Sequence, residues 1–116
     1  MILVLHRNTP TFGFDQPGCD QTVTAVAIIE TDSLDLAYSL TNNRGGSWSK
    51  GKTVVYNGNL FHNNPDFDAR IKVVGGYVAE EDYGKRSTSV GDRMIDIQNG
   101  VLYEVADFGF KKIGKF

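Results

Sequence analysis

The sequence predicts a small α+β domain with a mostly antiparallel sheet of about five to six strands, one main helix at about residues 33–43 and a C-terminal β-hairpin. Three observations predict this class. Short runs rich in β-branched residues recur along the chain between turn-forming residues. One segment alone has helical spacing of its apolar residues. Near the C-terminus, Asn99-Gly100 lies between two strand-like runs, which is the strongest short-range hairpin signal.

Size and charge limit the classes of protein that this chain can belong to. With 116 residues it is expected to form a single domain over residues 1–116. The formal net charge of −2 gives no overall attraction to nucleic acid. A single cysteine, Cys19, allows no intramolecular disulfide and favours a reducing compartment. No apolar run is long enough for a signal peptide or a membrane span, so we expect a soluble cytoplasmic protein without membrane contact.

The N-terminal part of the chain predicts two strands separated by a loop. Residues 2–5 are a continuous apolar run, typical of a strand that is paired or covered on both faces. Residues 10–20 contain two prolines and two glycines and are expected to form a loop, with Phe12 and Phe14 anchoring it to the core. Residues 22–30 are mostly β-branched or alanine and apolar on both faces, which predicts a central strand.

The main helix follows that strand. Asp32 or Ser33 is suited to accept hydrogen bonds from the free amides of a first helical turn, and Asp35 suits the positive end of the helix dipole. Helical spacing then connects Leu34, Ala37, Tyr38 and Thr41. Residues 42–46, Asn-Asn-Arg-Gly-Gly, are expected to end the helix, because Asn and Gly tolerate the left-handed conformation that a helix C-terminus needs.

The remaining strands are short. Residues 52–56 and 60–62 flank Asn57-Gly58, a tight-turn pair, and residues 71–74 form a further apolar run. Residues 63–68 and 79–86 are polar or charged and are predicted to be connections. The C-terminal hairpin is predicted from strands at residues 93–98 and 101–105, followed by a terminal strand at residues 108–113.

The segment from Lys85 to Arg93 is the richest candidate for a binding site. Its cations and hydroxyl groups could hold a phosphate or carboxylate with help from backbone amides. The competing hypothesis is a structural turn, in which the serines bond backbone amides and Gly91 supplies a positive φ. The candidate binding residues of this segment are Arg86, Ser87, Thr88, Ser89, Asp92 and Arg93.

Aromatic residues beside the predicted helix form a second candidate surface. Trp48 lies between Arg44 and Lys50, an arrangement that suits stacking on nucleobases or contact with a protein partner. The alternative is that this aromatic residue closes the core. Trp48 and Arg44 therefore complete the set of candidate binding residues. Three further aromatic residues share these alternatives: Tyr56, Phe61 and Tyr77.

One segment has the residue types of a metal site. His62, Asp66 and Asp68 could place an imidazole and two carboxylates around a divalent cation, which would suit a metal-dependent hydrolase. The alternative is a solvated loop with Asx-turn hydrogen bonds around Pro65. No nucleophile elbow, Walker or Cys-x-x-Cys motif occurs in the sequence, and we assign no catalytic residue, resident metal or cofactor.

Two segments carry a resemblance to a known group of proteins. Residues 30–42 contain Glu-Thr-Asp-Ser-Leu, then Ala-Tyr and Leu-Thr-Asn, and residues 86–92 have the sequence Arg-Ser-Thr-Ser-Val-Gly-Asp. With Gly109-Phe110 near the end, and with Trp48 after the helix, these resemble small uncharacterised proteins of actinobacterial phages. The C-terminal part is more distantly similar to the YodL-like domain. The match covers residues 22–48 and 86–110.

The resemblance implies a phage or mobile-element accessory protein that acts in the host cytoplasm. It implies no reaction and assigns no catalytic residue. We expect a non-catalytic binding module that contacts a host or phage protein. One alternative is a nucleic-acid or nucleotide-binding protein that uses the Lys85–Arg93 turn, and a second is a hydrolase at His62, Asp66 and Asp68. Neither the partner nor the oligomeric state follows from the sequence.

Overall fold

A computed structural model of the chain describes residues 1–8, 22–50, 54–56, 59–61, 64–74 and 85–115, with 54–56 and 59–61 described by their backbone alone. The described residues contain one helix and eight strands, which confirms the α+β class. The elements are β1 (Ile2–Arg7), β2 (Val23–Ile29), α1 (Leu34–Leu40), β3 (Val54–Tyr56), β4 (Asn59–Phe61), β5 (Ile71–Val73), β6 (Arg93–Asp96), β7 (Val101–Val105) and β8 (Phe110–Lys115).

Six of the strands form one antiparallel sheet in the order β5-β2-β1-β6-β7-β8. The size of this sheet agrees with the predicted five to six strands, but a second sheet was not predicted. Strands β3 and β4 pair with each other in a separate two-stranded sheet, around the predicted Asn57-Gly58 turn, which itself lies outside the described residues.

Strand β1 lies at the centre of the sheet, between β2 and β6. Ile2 and Val4 on its buried face have no exposed surface, and they pair with Ile29 and Ala27 of β2. The register shifts after Val4, which marks a bulge in the ladder between β1 and β2. An apolar strand covered in this way explains the continuous apolar run at the start of the sequence.

The helix packs its apolar side into the same core as β1. Ser33, one of the two caps considered, caps it by accepting a hydrogen bond from the amide of Leu36 at 3.1 Å. Ala37 and Leu40 are buried in the core cluster that contains Ile2 and Val4. The members of this cluster are Ile2, Val4, Val26, Ala27, Ile29, Ala37, Leu40, Trp48, Met94 and Val105.

The predicted end of the helix, at about residue 43, is wrong by one turn. The last helical residue is Leu40, and Thr41 follows with a φ of −102°, outside the left-handed region. The Thr41 hydroxyl donates to the Ala37 carbonyl at 2.8 Å and accepts from the Thr88 hydroxyl. The Ala37 carbonyl also accepts from the Thr41 amide at 3.2 Å, so the Thr41 hydroxyl shares this acceptor. The hydrogen bond to Thr88 ties Thr41 to a distant part of the chain, which favours an end of the helix at this residue.

The C-terminal hairpin is formed by β6 and β7, but its turn is longer than predicted. Asp96 pairs with Val101, so four residues connect the strands, Ile97 to Gly100. The carboxylate of Asp96 accepts from the side-chain amide of Asn99 at 2.7 Å, and Gly100 has a φ of +66°. Because this side chain bonds within the loop, β6 ends at Asp96 and not at the predicted residue 98.

The other predicted segments have mixed outcomes. The terminal strand is present as β8 but lies two residues later than predicted. The loop predicted at residues 10–20, with Phe12, Phe14 and Cys19, lies outside the described residues, as does most of the connection predicted at residues 79–86. The described part of the chain has no helix long and apolar enough to cross a membrane.

The helix cap gives a direct test of this arrangement. We expect Ser33→Ala to lower the free energy of unfolding by about 1 kcal/mol, because the Leu36 amide loses its acceptor. Urea unfolding followed by circular dichroism measures the change. Ser39→Ala is the matched control within the helix and should leave stability unchanged or slightly raised, since alanine favours helix. Equal losses in both variants would contradict the assignment of Ser33 as the cap.

Candidate functional site

The Lys85–Arg93 segment forms a turn that is fastened to β7. Gly91 has a φ of +93°, as predicted for a turn glycine, and its amide donates to the Val105 carbonyl at 2.9 Å. The Val105 amide donates in return to the Asp92 carbonyl at 2.8 Å. Within the turn, the Asp92 amide bonds the Ser89 carbonyl at 3.0 Å. These bonds fix the backbone from Ser89 to Asp92 directly before β6 begins.

The carboxylate of Asp92 is the centre of the site. It is 1% exposed, and the Arg86 guanidinium binds it through two nitrogens, Nη1 to Oδ2 at 2.6 Å and Nη2 to Oδ1 at 2.7 Å. The backbone amides of Arg7 and Ser89 donate to Oδ1 and Oδ2, each at 2.8 Å. Each carboxylate oxygen therefore has two donors, so the described site leaves this carboxylate no capacity to act as a base or metal ligand.

The Arg86 guanidinium is occupied by the protein itself. Besides the carboxylate, it donates to the carbonyls of Ser87 at 3.0 Å and Arg7 at 3.1 Å. Its side chain is 28% exposed. The arginine that was a candidate for holding a ligand anion here neutralises an internal carboxylate, which is the arrangement expected for the structural turn.

A hydrogen-bonded row of one imidazole and two hydroxyl groups lies beside this ion pair. His6 Nε2 is 2.8 Å from the Thr88 hydroxyl, which donates to the Thr41 hydroxyl at 2.8 Å. All three side chains are buried. Burial lowers the pKa of His6 to about 4; the Asp92 carboxylate acts in the opposite direction, and the cations Arg86 and Lys85 add to the lowering. The His6 ring is therefore neutral at pH 7.

Trp48 is part of the core, so the exposed stacking surface considered for it does not exist in this fold. It is 1% exposed, and its indole Nε1 donates to the Arg86 carbonyl at 2.8 Å. Its ring lies edge-on to His6, with 6.0 Å between the ring centroids. The tryptophan therefore packs in the core and holds the turn through its hydrogen bond to Arg86, in agreement with the alternative that it closes the core.

The segment after the helix docks on the same turn. The Asn43 amide donates to the Ser87 hydroxyl at 2.8 Å, and the Thr88 amide donates to the Thr41 carbonyl at 2.9 Å. The Lys85 amide donates to the Ser49 hydroxyl at 2.7 Å. Residues 41–49 and 85–88 are thus brought together, although about forty residues separate them. The two segments that carry the phage-protein resemblance meet at this point.

A second internal carboxylate shapes the loop after the helix. Asp66 accepts hydrogen bonds from the backbone amides of Arg44, Gly45 and Gly46. Burial acts to raise the pKa of Asp66, but the amide hydrogen bonds outweigh it and hold the pKa below its usual value. A Cβ atom at Gly46 would lie 2.2 Å from the Asn64 side-chain oxygen, so this close approach requires glycine.

The residues considered for a metal site are placed as follows. His62 lies outside the described residues. Asp66 is occupied by the three amides, and Asp68 makes a forked ion pair with Arg70 that lowers its pKa to about 2. The described residues contain no group of three His, Cys, Asp or Glu side chains able to hold a metal ion.

The candidate binding residues fall into two groups. Five of them form one buried or half-buried cluster around the Asp92 carboxylate: Trp48, Arg86, Thr88, Ser89 and Asp92. Ser87 joins this cluster to Asn43. Arg44 and Arg93 point elsewhere: the first is exposed beside Ser39, and the second lies 4.0 Å from Glu104.

Three residues of the cluster were not predicted: His6, Arg7 and Thr41. The sequence signal that could have identified them was the polar pair His6-Arg7 at the end of an otherwise apolar strand, since such residues need partners when the strand is central.

No protein-family model, curated protein or solved structure matches this chain.

Removal of the central charge tests whether the turn depends on it. We expect Asp92→Asn to lower the free energy of unfolding by about 3–5 kcal/mol, because it leaves Arg86 without its counter-charge. Asp68→Asn is the matched control: it breaks another forked pair with arginine, but one that lies at the surface. The control should change stability far less when both are measured by urea unfolding, and equal changes would contradict a central role for Asp92.

The neutral His6 ring predicts a pH dependence of stability. Its folded pKa, about 4, lies below the usual 6.5, so the unfolded chain binds a proton that the folded chain excludes between these values. The free energy of unfolding should therefore fall as the pH falls from 6.5 to 4, by at most about 1.4 kcal/mol per pH unit from this group. His6→Asn should remove this contribution. A His6 ring that titrates near 6.5 by NMR in the folded protein would contradict the assignment.

Proposed function

We propose that this chain is a phage or mobile-element accessory protein that binds a host or phage protein in the host cytoplasm and catalyses no reaction. The observation that carries the proposal is Phe108, a large aromatic side chain that is 98% exposed in the loop between β7 and β8. Aromatic side chains dominate the energetics of protein interfaces, and a fully exposed one stabilises the isolated fold very little.

The internal site supports the non-catalytic part of the proposal. The described groups best suited to acid–base chemistry or anion binding are His6, Arg86 and Asp92, and they bond to the protein's own groups. A catalytic group must reach its substrate, whereas the Asp92 carboxylate is buried under four donors. The nucleotide-binding alternative has less support for the same reason, because Arg86 faces inward.

The loop that carries Phe108 is built to hold it outward. Gly109 follows with a φ of +77°, which reverses the chain, and the Ala106 amide donates to the Gly109 carbonyl at 3.0 Å. Beside the loop lies a cleft of about 190 Å³ between helix α1 and the adjoining ends of β7 and β8. It is lined in part by Tyr38, Val105 and Phe110. An exposed aromatic side chain next to a partly apolar cleft is a suitable surface for a protein partner.

Affinity purification from host lysate, with and without phage infection, tests the proposal. We expect the wild-type chain to retain one protein saturably, and Phe108→Ser to weaken that binding about tenfold or more. Ile97→Ser is the matched control, since Ile97 is also an exposed apolar residue in a hairpin loop but lies at the other end of β7. The control should bind as the wild type does.

Two results would contradict the proposal. One is that no protein is retained saturably at low or at physiological salt. The other is a turnover of nucleotide, phosphoester or peptide substrates by the purified chain that Asp92→Asn or His6→Asn abolishes while circular dichroism shows a folded protein.

A further inference from the structure

Strand β8 is an end strand of the main sheet, with β7 on one side. No described residue pairs with its other side. The strand contacts helix α1 through the Phe110 ring, which packs edge-on against Tyr38 with 6.3 Å between the ring centroids. The outer backbone amides and carbonyls of such a strand are a template for another strand.

The charge of β8 differs from that of the whole chain. Its six residues include three exposed lysines and no acidic residue, whereas the chain as a whole has a net charge of −2. The lysines are Lys111, Lys112 and Lys115. Like charges oppose pairing of this edge with the same edge of a second copy, while carboxylates on an incoming strand would be attracted.

The nearby acidic groups neutralise only part of this charge. Glu104 lies opposite Lys111 in the ladder between β7 and β8, so that lysine has a cross-strand acidic neighbour. Lys112 and Lys115 lie opposite Tyr103 and Val101, neither of which is an acidic residue of the Asp or Glu type. These two lysines are therefore the cations best placed to recognise a partner.

Exposed apolar side chains lie beside the lysines of β8. Phe108 precedes the strand and is 98% exposed, and Ile113 within the strand is 37% exposed. Ile113 is also the extra residue at a register shift, since Leu102 pairs with Gly114 and Tyr103 with Lys112. The regular ladder available to an added strand therefore lies before this bulge, at residues 110–112.

We propose that the outer edge of β8 binds an extended acidic segment of a partner protein, which adds to the sheet as a further strand. The inference rests on the proposed function and names the chemistry of the partner's contact segment. Backbone hydrogen bonds to residues 110–112 would hold the segment, its carboxylates would meet Lys112 and Lys115, and an apolar side chain would pack on Phe108.

A synthetic peptide tests this without knowledge of the partner. The probe is a peptide of about ten residues that alternates glutamate with valine and carries one tyrosine, and its counterpart has lysine in place of glutamate. We expect saturable binding of the acidic peptide by fluorescence anisotropy, weakened by added salt, and no binding of the lysine peptide. Amide hydrogen exchange should slow within β8 and not within β5, the strand at the other edge of the sheet.

A pair of matched variants locates the contact. Lys112→Glu should weaken binding of the acidic peptide about tenfold or more, because it replaces attraction by repulsion at the proposed edge. Lys72→Glu is the control, since Lys72 is an exposed lysine on the opposite edge strand and lies opposite uncharged Ile28. The control should bind the peptide within about twofold of the wild type, as expected for a distant charge.

Three outcomes would overturn the proposal: no saturable binding of the acidic peptide, binding without slower exchange in β8, or equal weakening by Lys112→Glu and Lys72→Glu. Failure of the proposed function is a separate result. A protein captured by the wild type and by Lys112→Glu alike would keep the binding role and remove this edge as the contact. If neither protein nor peptide binds, both proposals fail.

Discussion

The buried ion pair between Arg86 and Asp92 is the interaction on which the rest of the described structure depends. Burial of a carboxylate is costly unless a counter-charge and hydrogen bonds accompany it, and Asp92 has both. One of its donors, the Arg7 amide, lies 85 residues earlier in the chain. The carboxylate thus joins the end of the central strand β1 to the turn that precedes β6. It holds the turn at the position from which β6 can pair with β1.

The second constraint is that the segment after the helix must fit against this turn. Thr41, Asn43 and Trp48 each bond a group between Arg86 and Thr88, so the end of the helix and the turn stabilise each other. A polar network of this kind stabilises a fold only when its members are satisfied together. The segments that carry the resemblance to phage proteins are those that make these contacts.

Because the polar residues of the turn bond to the protein's own groups, the proposed binding role is assigned to another surface. The β7–β8 hairpin has the necessary features in one place: an aromatic side chain held out by the positive φ of Gly109, and an edge strand with three lysines. The lysines have two effects that do not conflict. They oppose self-association of the edge, and they favour a partner of opposite charge. The turn before β6 thus stabilises the fold, whereas the proposed contact lies on β8 and on the loop before it.

The sequence alone determined the α+β class, the positions of most strands, a helix cap at Asp32 or Ser33 and the C-terminal hairpin, because these follow from local periodicity and turn chemistry. It did not determine where the helix ends, since Thr41 is held by Thr88, which is 47 residues away. Nor did it distinguish a ligand-binding turn from a structural one. The same residue types suit both, and only the tertiary structure places Asp92 and the Arg7 amide where they occupy the site. The role of Trp48 was open for the same reason, because its burial depends on contacts with the distant Arg86 and His6.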